Sequence, residues 1–115
     1  MRKVLIISFI LFILSACDGF IVENVFKSEE SIEYYKKAVE FQKNEQYQEA
    51  IKQYTKSLID SPKNDLVYGN RGLCKKELGD TQGAISDINK AIEYSQDEIM
   101  INHYKWNIDL IEKND

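Results

Sequence analysis

From Ser28 to the last residue, apolar side chains recur at helical spacing in five stretches separated by short polar breaks. Ser28-Glu29-Glu30 opens the first, with acidic residues where a helix dipole favours them. Two apolar stripes follow, Tyr34, Ala38 and Phe41 on one side and Ile32, Tyr35 and Val39 on another. A lone surface helix needs one stripe, so this helix is expected to be sandwiched between two neighbours. Asn44-Glu45-Gln46 is a turn, after which Tyr47, Ala50, Ile51, Tyr54 and Leu58 keep helical register until Ser61-Pro62. Asn64 or Asp65 caps a third helix that runs to about Leu78, and Gly79-Asp80 closes it and caps a fourth. The fourth places Thr81, Ala84, Ile85, Ile88, Ala91 and Ile92 on one face and leaves Gln82, Asp87, Asn89 and Lys90 for water. Ser95-Gln96-Asp97-Glu98 has the form of a capping box and opens a fifth helix to about Glu112, with Ile101, Tyr104, Ile108 and Ile111 as its inward stripe.

The third and fourth stretches repeat the first and second at a period of 34 residues. Tyr34 falls on Tyr68, Ala38 on Gly72, Gln48 on Gln82, Ala50 on Ala84, Ile51 on Ile85, Lys56 on Lys90, Ser57 on Ala91 and Leu58 on Ile92. A period of this size marks a stacked helical repeat. The small residues Ala38, Ala50 and Ser57 let two backbones approach closely.

Tyr34, Ala38, Phe41, Ala50, Tyr54 and Pro62 occupy in order the places of the tetratricopeptide repeat pattern. The second copy keeps Tyr68, Gly72, Ala84 and Ala91, and its Asn70-Arg71-Gly72 and Gly79-Asp80…Gly83-Ala84-Ile85 resemble a common bacterial form of that repeat. Departures are Lys37 and Arg71 where the family prefers leucine, Lys75 for the second aromatic and Gln96 for proline, and they are expected to weaken the second copy's packing. The resemblance covers about two thirds of the chain and implies an all-α fold. The expected architecture is a TPR-type α-solenoid of two helix-turn-helix repeats, about 31–64 and 65–98, plus a C-terminal capping helix at about 97–113, within a domain spanning 28–115. Solenoids usually need about three repeats to bury a continuous core, so marginal stability or assembly is expected.

The resemblance also implies protein or peptide binding along the concave face lined by the first helix of each repeat. Carried over position by position, that face presents Ile32, Tyr35, Val39 and Gln42, then Leu66, Gly69, Leu73 and Lys76, with Gly69 leaving a dent. The family's clamp for C-terminal carboxylates is not expected: Asn70 fits one of its places, but Tyr35 and Val39 stand where its Lys and Asn would be. A capping helix should have a polar outer face, yet Ile99, His103, Trp106 and Leu110 line up nearly opposite the inward stripe. Either Trp106 folds over an edge or the segment from Phe20 to Phe26 covers the stripe; otherwise Ile99, Trp106 and Leu110 form a second contact surface for a partner or a homodimer.

Upstream, Met1-Arg2-Lys3, the apolar run from Val4 to Leu14 and small Ser15-Ala16 read as a signal peptide over residues 1–16. Leu14-Ser15-Ala16-Cys17 looks like a bacterial lipobox, which implies acylation of Cys17 and a lipidated tether over residues 17–27. An uncleaved single-pass membrane protein is the alternative, although Asp18 interrupts the hydrophobic stretch early for a span of ~20 apolar residues. Phe20, Ile21, Val22, Val25 and Phe26 make the tether too apolar for a free solvated linker, so it is expected to lie against the membrane or the domain.

Charge and chemistry narrow the rest. A net charge of −4, or −6 once Arg2 and Lys3 leave with the leader, argues against a nucleic-acid partner. One histidine and two cysteines offer no metal cluster, no catalytic set is recognisable, and no cofactor is expected. Cys74 reads as a buried small hydrophobe, and His103 as an ordinary helix residue. The expectation is a non-enzymatic interaction module of the bacterial cell envelope, anchored to the inner or outer membrane and binding another envelope protein or peptide. An accessory subunit of an envelope enzyme, or a weak hydrolase, is the alternative.

Overall fold

The computed structural model describes residues 26–115. The expected leader, the lipobox with Cys17 and tether residues 17–25 lie outside the described residues. Five helices follow one another, α1 (Glu29–Lys43), α2 (Tyr47–Asp60), α3 (Asp65–Glu77), α4 (Thr81–Tyr94) and α5 (Glu98–Lys113), and no strand occurs among the described residues. Each helix packs chiefly on its sequence neighbours, so the chain is an all-α solenoid of two helix pairs and a fifth helix.

Local signals fix the ends. Ser28, Asn64 and Asp80 cap α1, α3 and α4, each accepting a hydrogen bond from the backbone N–H three residues on, worth about 1 kcal/mol apiece. The structure corrects one boundary. The Ser95 hydroxyl instead accepts from the Asp97 N–H at 3.3 Å, and the α5 cap is Asp97, whose carboxylate accepts from the N–H groups of Ile99 and Met100. The helix therefore begins two residues later than the capping-box register implies. The turns ending α1 and α3 are equivalent: Glu45 has φ 60° and Gly79 has φ 81°, so the second copy places glycine in a left-handed seat that the first fills with a glutamate.

The period-34 seats are occupied as the spacing predicts. Ala38, Ala50, Ala84 and Ala91 are fully buried. Gly72, matching Ala38, has no room for a side chain, since a Cβ there would stand 2.9 Å from Ile88 Cγ1 and 3.1 Å from the Ala84 carbonyl. Tyr54 and Ile88 fill the same interior position of the two pairs, both buried.

Two polar features of the interior depart from the pattern. In the first pair, Ser31 Oγ lies 2.7 Å from the Ser57 carbonyl and 2.9 Å from Ser61 Oγ, and Ser57 Oγ donates back to the Ser31 carbonyl at 2.8 Å. These hydroxyls stitch the start of α1 to the end of α2 without side-chain bulk. In the second pair Asp87 is not left for water, as its place on the helical wheel suggests, but is 4% exposed. Arg71 grips it in a two-point pair, 2.8 Å on each arm, and Lys75 Nζ adds a third contact at 3.0 Å. Arg71 also reaches Thr55 of α2 at 3.2 Å, so the departures at 71 and 75 join α3 to α4 and to the preceding pair. Along α5, Tyr104 and Ile111 are buried, Ile101 and Ile108 only half-buried, and Asn107 is buried where the pattern gave no inward residue.

Candidate functional site

The first helices of the two pairs, α1 and α3, face each other across a cleft of about 490 Å³ lined by Tyr35, Val39, Gln42, Lys43, Tyr47, Tyr54, Asn70, Leu73 and Glu77. Four of the eight residues expected on the concave face, Tyr35, Val39, Gln42 and Leu73, meet there. The others are placed elsewhere. Ile32 packs against the first core cluster, and Lys76 is half-buried on α3 outside the cleft lining. Leu66 and Gly69 line a separate cavity of about 80 Å³ under α5. The dent expected at Gly69 is filled: a Cβ there would stand 2.6 Å from Tyr104 Cε1. Gly69 is thus a seat for the ring of the capping helix and offers nothing to a ligand.

The α1–α3 cleft is an aromatic trough with amide groups. Tyr35 and Tyr54 are tilted rings 5.9 Å apart. The Tyr54 hydroxyl donates to Gln42 Oε1, and Asn70 Nδ2 donates to the Tyr35 hydroxyl at 3.4 Å. Burial pushes the hydroxyls of Tyr35 and Tyr54 up from the ordinary tyrosine value, so both stay neutral at physiological pH. Lys43 and Glu77 bring opposite charges to the lining. Flat rings, the aliphatic side chains of Val39 and Leu73 and primary amides suit an extended polypeptide, whose main chain presents a donor and an acceptor at every residue.

Sequence reasoning missed Tyr54, Tyr47, Lys43 and Glu77 as lining. Tyr54 is a buried residue of α2, yet its hydroxyl reaches Gln42 of α1 at the cleft. The other three sit at or beside helix ends, where no periodic signal marks them. Phe26, counted with the tether, is 8% exposed and packs on the cleft residue Tyr35 with ring centroids 5.0 Å apart.

At the far end of the stack, Ile99 is 79% and Trp106 57% exposed. His103 stacks on Trp106 at 6.1 Å, while Leu110 is half-buried. In the period-34 register Trp106 takes the seat of Ala38 and Gly72, so its side chain lies on the face that α1 and α3 turn to their second helices. Cys74 is buried, and desolvation pushes its thiol up to about 11. Among the described residues no group of His, Cys, Asp and Glu could hold a metal ion, and no helix is long and apolar enough to cross a membrane.

Two nested helix pairs with small residues in matched seats and a cleft between their first helices define an α-solenoid of the kind that binds other polypeptides. Residues 66–98 match the tetratricopeptide repeat family, and the copy 34 residues upstream repeats the same seats. The chain is similar to the wheat (Triticum aestivum) Hsp70-Hsp90 organizing protein, with 35% identity over 80 residues covering 62% of this chain and 14% of the relative. It is also similar to the mouse (Mus musculus) E3 ubiquitin-protein ligase TTC3, with 33% identity over 78 residues covering 58% of this chain and 4% of the relative. The chain thus spans only a small fraction of the length of these relatives. No solved structure matches it.

Proposed function

We propose that the chain is a non-enzymatic, membrane-tethered interaction module of the bacterial cell envelope, which holds an extended segment of another envelope protein in the α1–α3 cleft. The cleft carries the reading: Tyr35, Val39 and Leu73 give an apolar floor, and Gln42 and Asn70 offer amide groups to a peptide backbone. The envelope assignment is supported by the signal-like residues 1–16 and the Leu14-Ser15-Ala16-Cys17 sequence, with Cys17 as the acylated residue. Several acyl chains, at ~0.8 kcal/mol per buried methylene, would hold the module at a bilayer. Ile99, Trp106 and Leu110 at the far end offer a second contact stripe, for a partner or a second copy.

A photo-activatable cross-linking residue placed at Asn70, with the same residue at exposed Gln82 of α4 as control, tests the cleft. Adducts of defined mass are expected at position 70 only, and are abolished by Tyr35→Ala with Leu73→Ala. Equal adducts at both positions would refute it. Labelled palmitate should enter the wild-type chain and not Cys17→Ser; label in neither would remove the anchor from the proposal while leaving the cleft standing.

A further inference from the structure

The exposed stripe of α5 carries charges along one flank only, and their sign differs at its two ends. Ile99, His103, Trp106 and Leu110 fall within an arc of ~60° at 3.6 residues per turn. Glu98, Asn102, Asp109 and Lys113 occupy the next ~60° on one side, and all four are exposed. On the other side stand Gln96, Met100, Asn107 and Asn114, none of them charged. Among the described residues neither Glu98, Asp109 nor Lys113 takes part in an ion pair. Lys105 and Glu112 lie farther round the helix, away from the stripe.

We propose that the α5 stripe is covered by the α5 stripe of a second copy of this chain, the two helices running antiparallel. The inference rests on the far-end stripe being a contact surface and names its occupant. A two-fold interface sets the same patch of each subunit against the other, and in an antiparallel pair each flank meets its own copy in reverse order. Glu98 then faces Lys113 of the second copy, and Lys113 faces its Glu98. The register that aligns these two also aligns Asn102 with Asp109, because both pairs share a midpoint between Lys105 and Trp106. That midpoint brings the two Trp106 rings together at the two-fold axis and seats Ile99, His103 and Leu110 in the gaps of the opposing row. A parallel pair would instead set the charged flank against Gln96, Asn107 and Asn114, which offer no opposite charge. From Glu98 to Lys113 the helix rises ~22 Å, so the two ion pairs close opposite ends of the apolar seam.

Charge reversal tests the arrangement in the full-length chain, by sedimentation equilibrium in density-matched detergent at low salt, where surface charges are least screened. The wild-type chain is expected to dimerise, and the emission of Trp106, the one tryptophan of the chain, to move to shorter wavelength as the dimer forms. Glu98→Lys and Lys113→Glu should each weaken dimerisation about tenfold, since two attractive rim pairs become repulsive, with helix content unchanged. Mixed one to one, the two variants should pair with each other as tightly as wild type, because each supplies the charges the other lacks. Trp106→Ser should abolish the dimer. A wild-type chain that stays monomeric at millimolar concentration would overturn the proposal. So would a dimer that survives Trp106→Ser, single charge variants that dimerise like wild type, or a mixture no tighter than either variant alone. The α1–α3 cleft takes no part in this contact, so such a failure leaves the cross-linking expected at Asn70 untouched.

Discussion

The two helix pairs share matched small seats and have opposite interiors. In the first, Tyr54 fills the central seat and hydroxyls of Ser31, Ser57 and Ser61 bind the helix ends together. In the second, Ile88 and Ala91 hold the matching places, and cohesion is delegated to Asp87 with Arg71 and Lys75. The repeat thus specifies the sizes of its seats, above all the small ones, and leaves the chemistry filling the larger ones free. The outcome for function follows, since only the first pair sends a tyrosine hydroxyl through to the cleft.

The largest effect that would sharpen this contrast is at Asp87. Removing one partner of a buried ion pair typically costs 3–5 kcal/mol, so Asp87→Ala should lower the unfolding free energy by about 3 kcal/mol, because Arg71 and Lys75 can turn partly to water. Arg71→Leu combined with Asp87→Ala should recover part of that loss, which a double-mutant cycle in urea reads directly; strict additivity would mean that the pair is not coupled. Next is Gly69→Ala. The gain in helix propensity, up to ~1 kcal/mol, is outweighed by collision with Tyr104, and overpacking of this kind costs about 1–3 kcal/mol. A net loss of about 1 kcal/mol is expected, and Tyr104→Ala should make the same substitution harmless.

Smaller still is the turn. Glu45 and Gly79 share a left-handed conformation that costs a non-glycine residue about 1 kcal/mol, so Glu45→Gly should stabilise by about that amount and Gly79→Ala should destabilise comparably, both measured by thermal melting. Cys74 gives the mildest readout. Its folded thiol ionises near 11, above its ordinary value of 9.0. Its contribution to stability is therefore complete below pH 9 and lost as pH rises towards 11. Alkylation of Cys74 at pH 8 should follow the rate of global opening, and prompt alkylation of the native protein would contradict its burial.

Sequence periodicity revealed most of the fold because it reports size and spacing. Ala50 and Ala84, or Ala38 and Gly72, could be paired from the chain alone, and the helix ends followed from Ser28, Asn64 and Asp80. Asp87 could not be placed that way: on its own helix it lies beside Ile88 at the border of the apolar face, and only the cations reaching from α3 make burial affordable. The cleft was half legible for a related reason. Tyr35, Val39, Gln42 and Leu73 follow helical spacing, whereas Gly69 is removed from the surface by Tyr104, a residue 35 positions later. Tyr47, Lys43 and Glu77 enter through the packing of helix ends, which no single-helix pattern encodes.

Matched small seats are what allow each pair to nest and α1 to face α3 across the cleft. The most direct test is the unfolding free energy of Ala50→Leu and Ala84→Leu, each measured in urea beside the exposed control Lys52→Leu. Overpacking of about 1–3 kcal/mol is expected at both alanines, similar in size at the two and absent at the control. Tolerance of leucine at either alanine would mean that the two pairs do not nest alike.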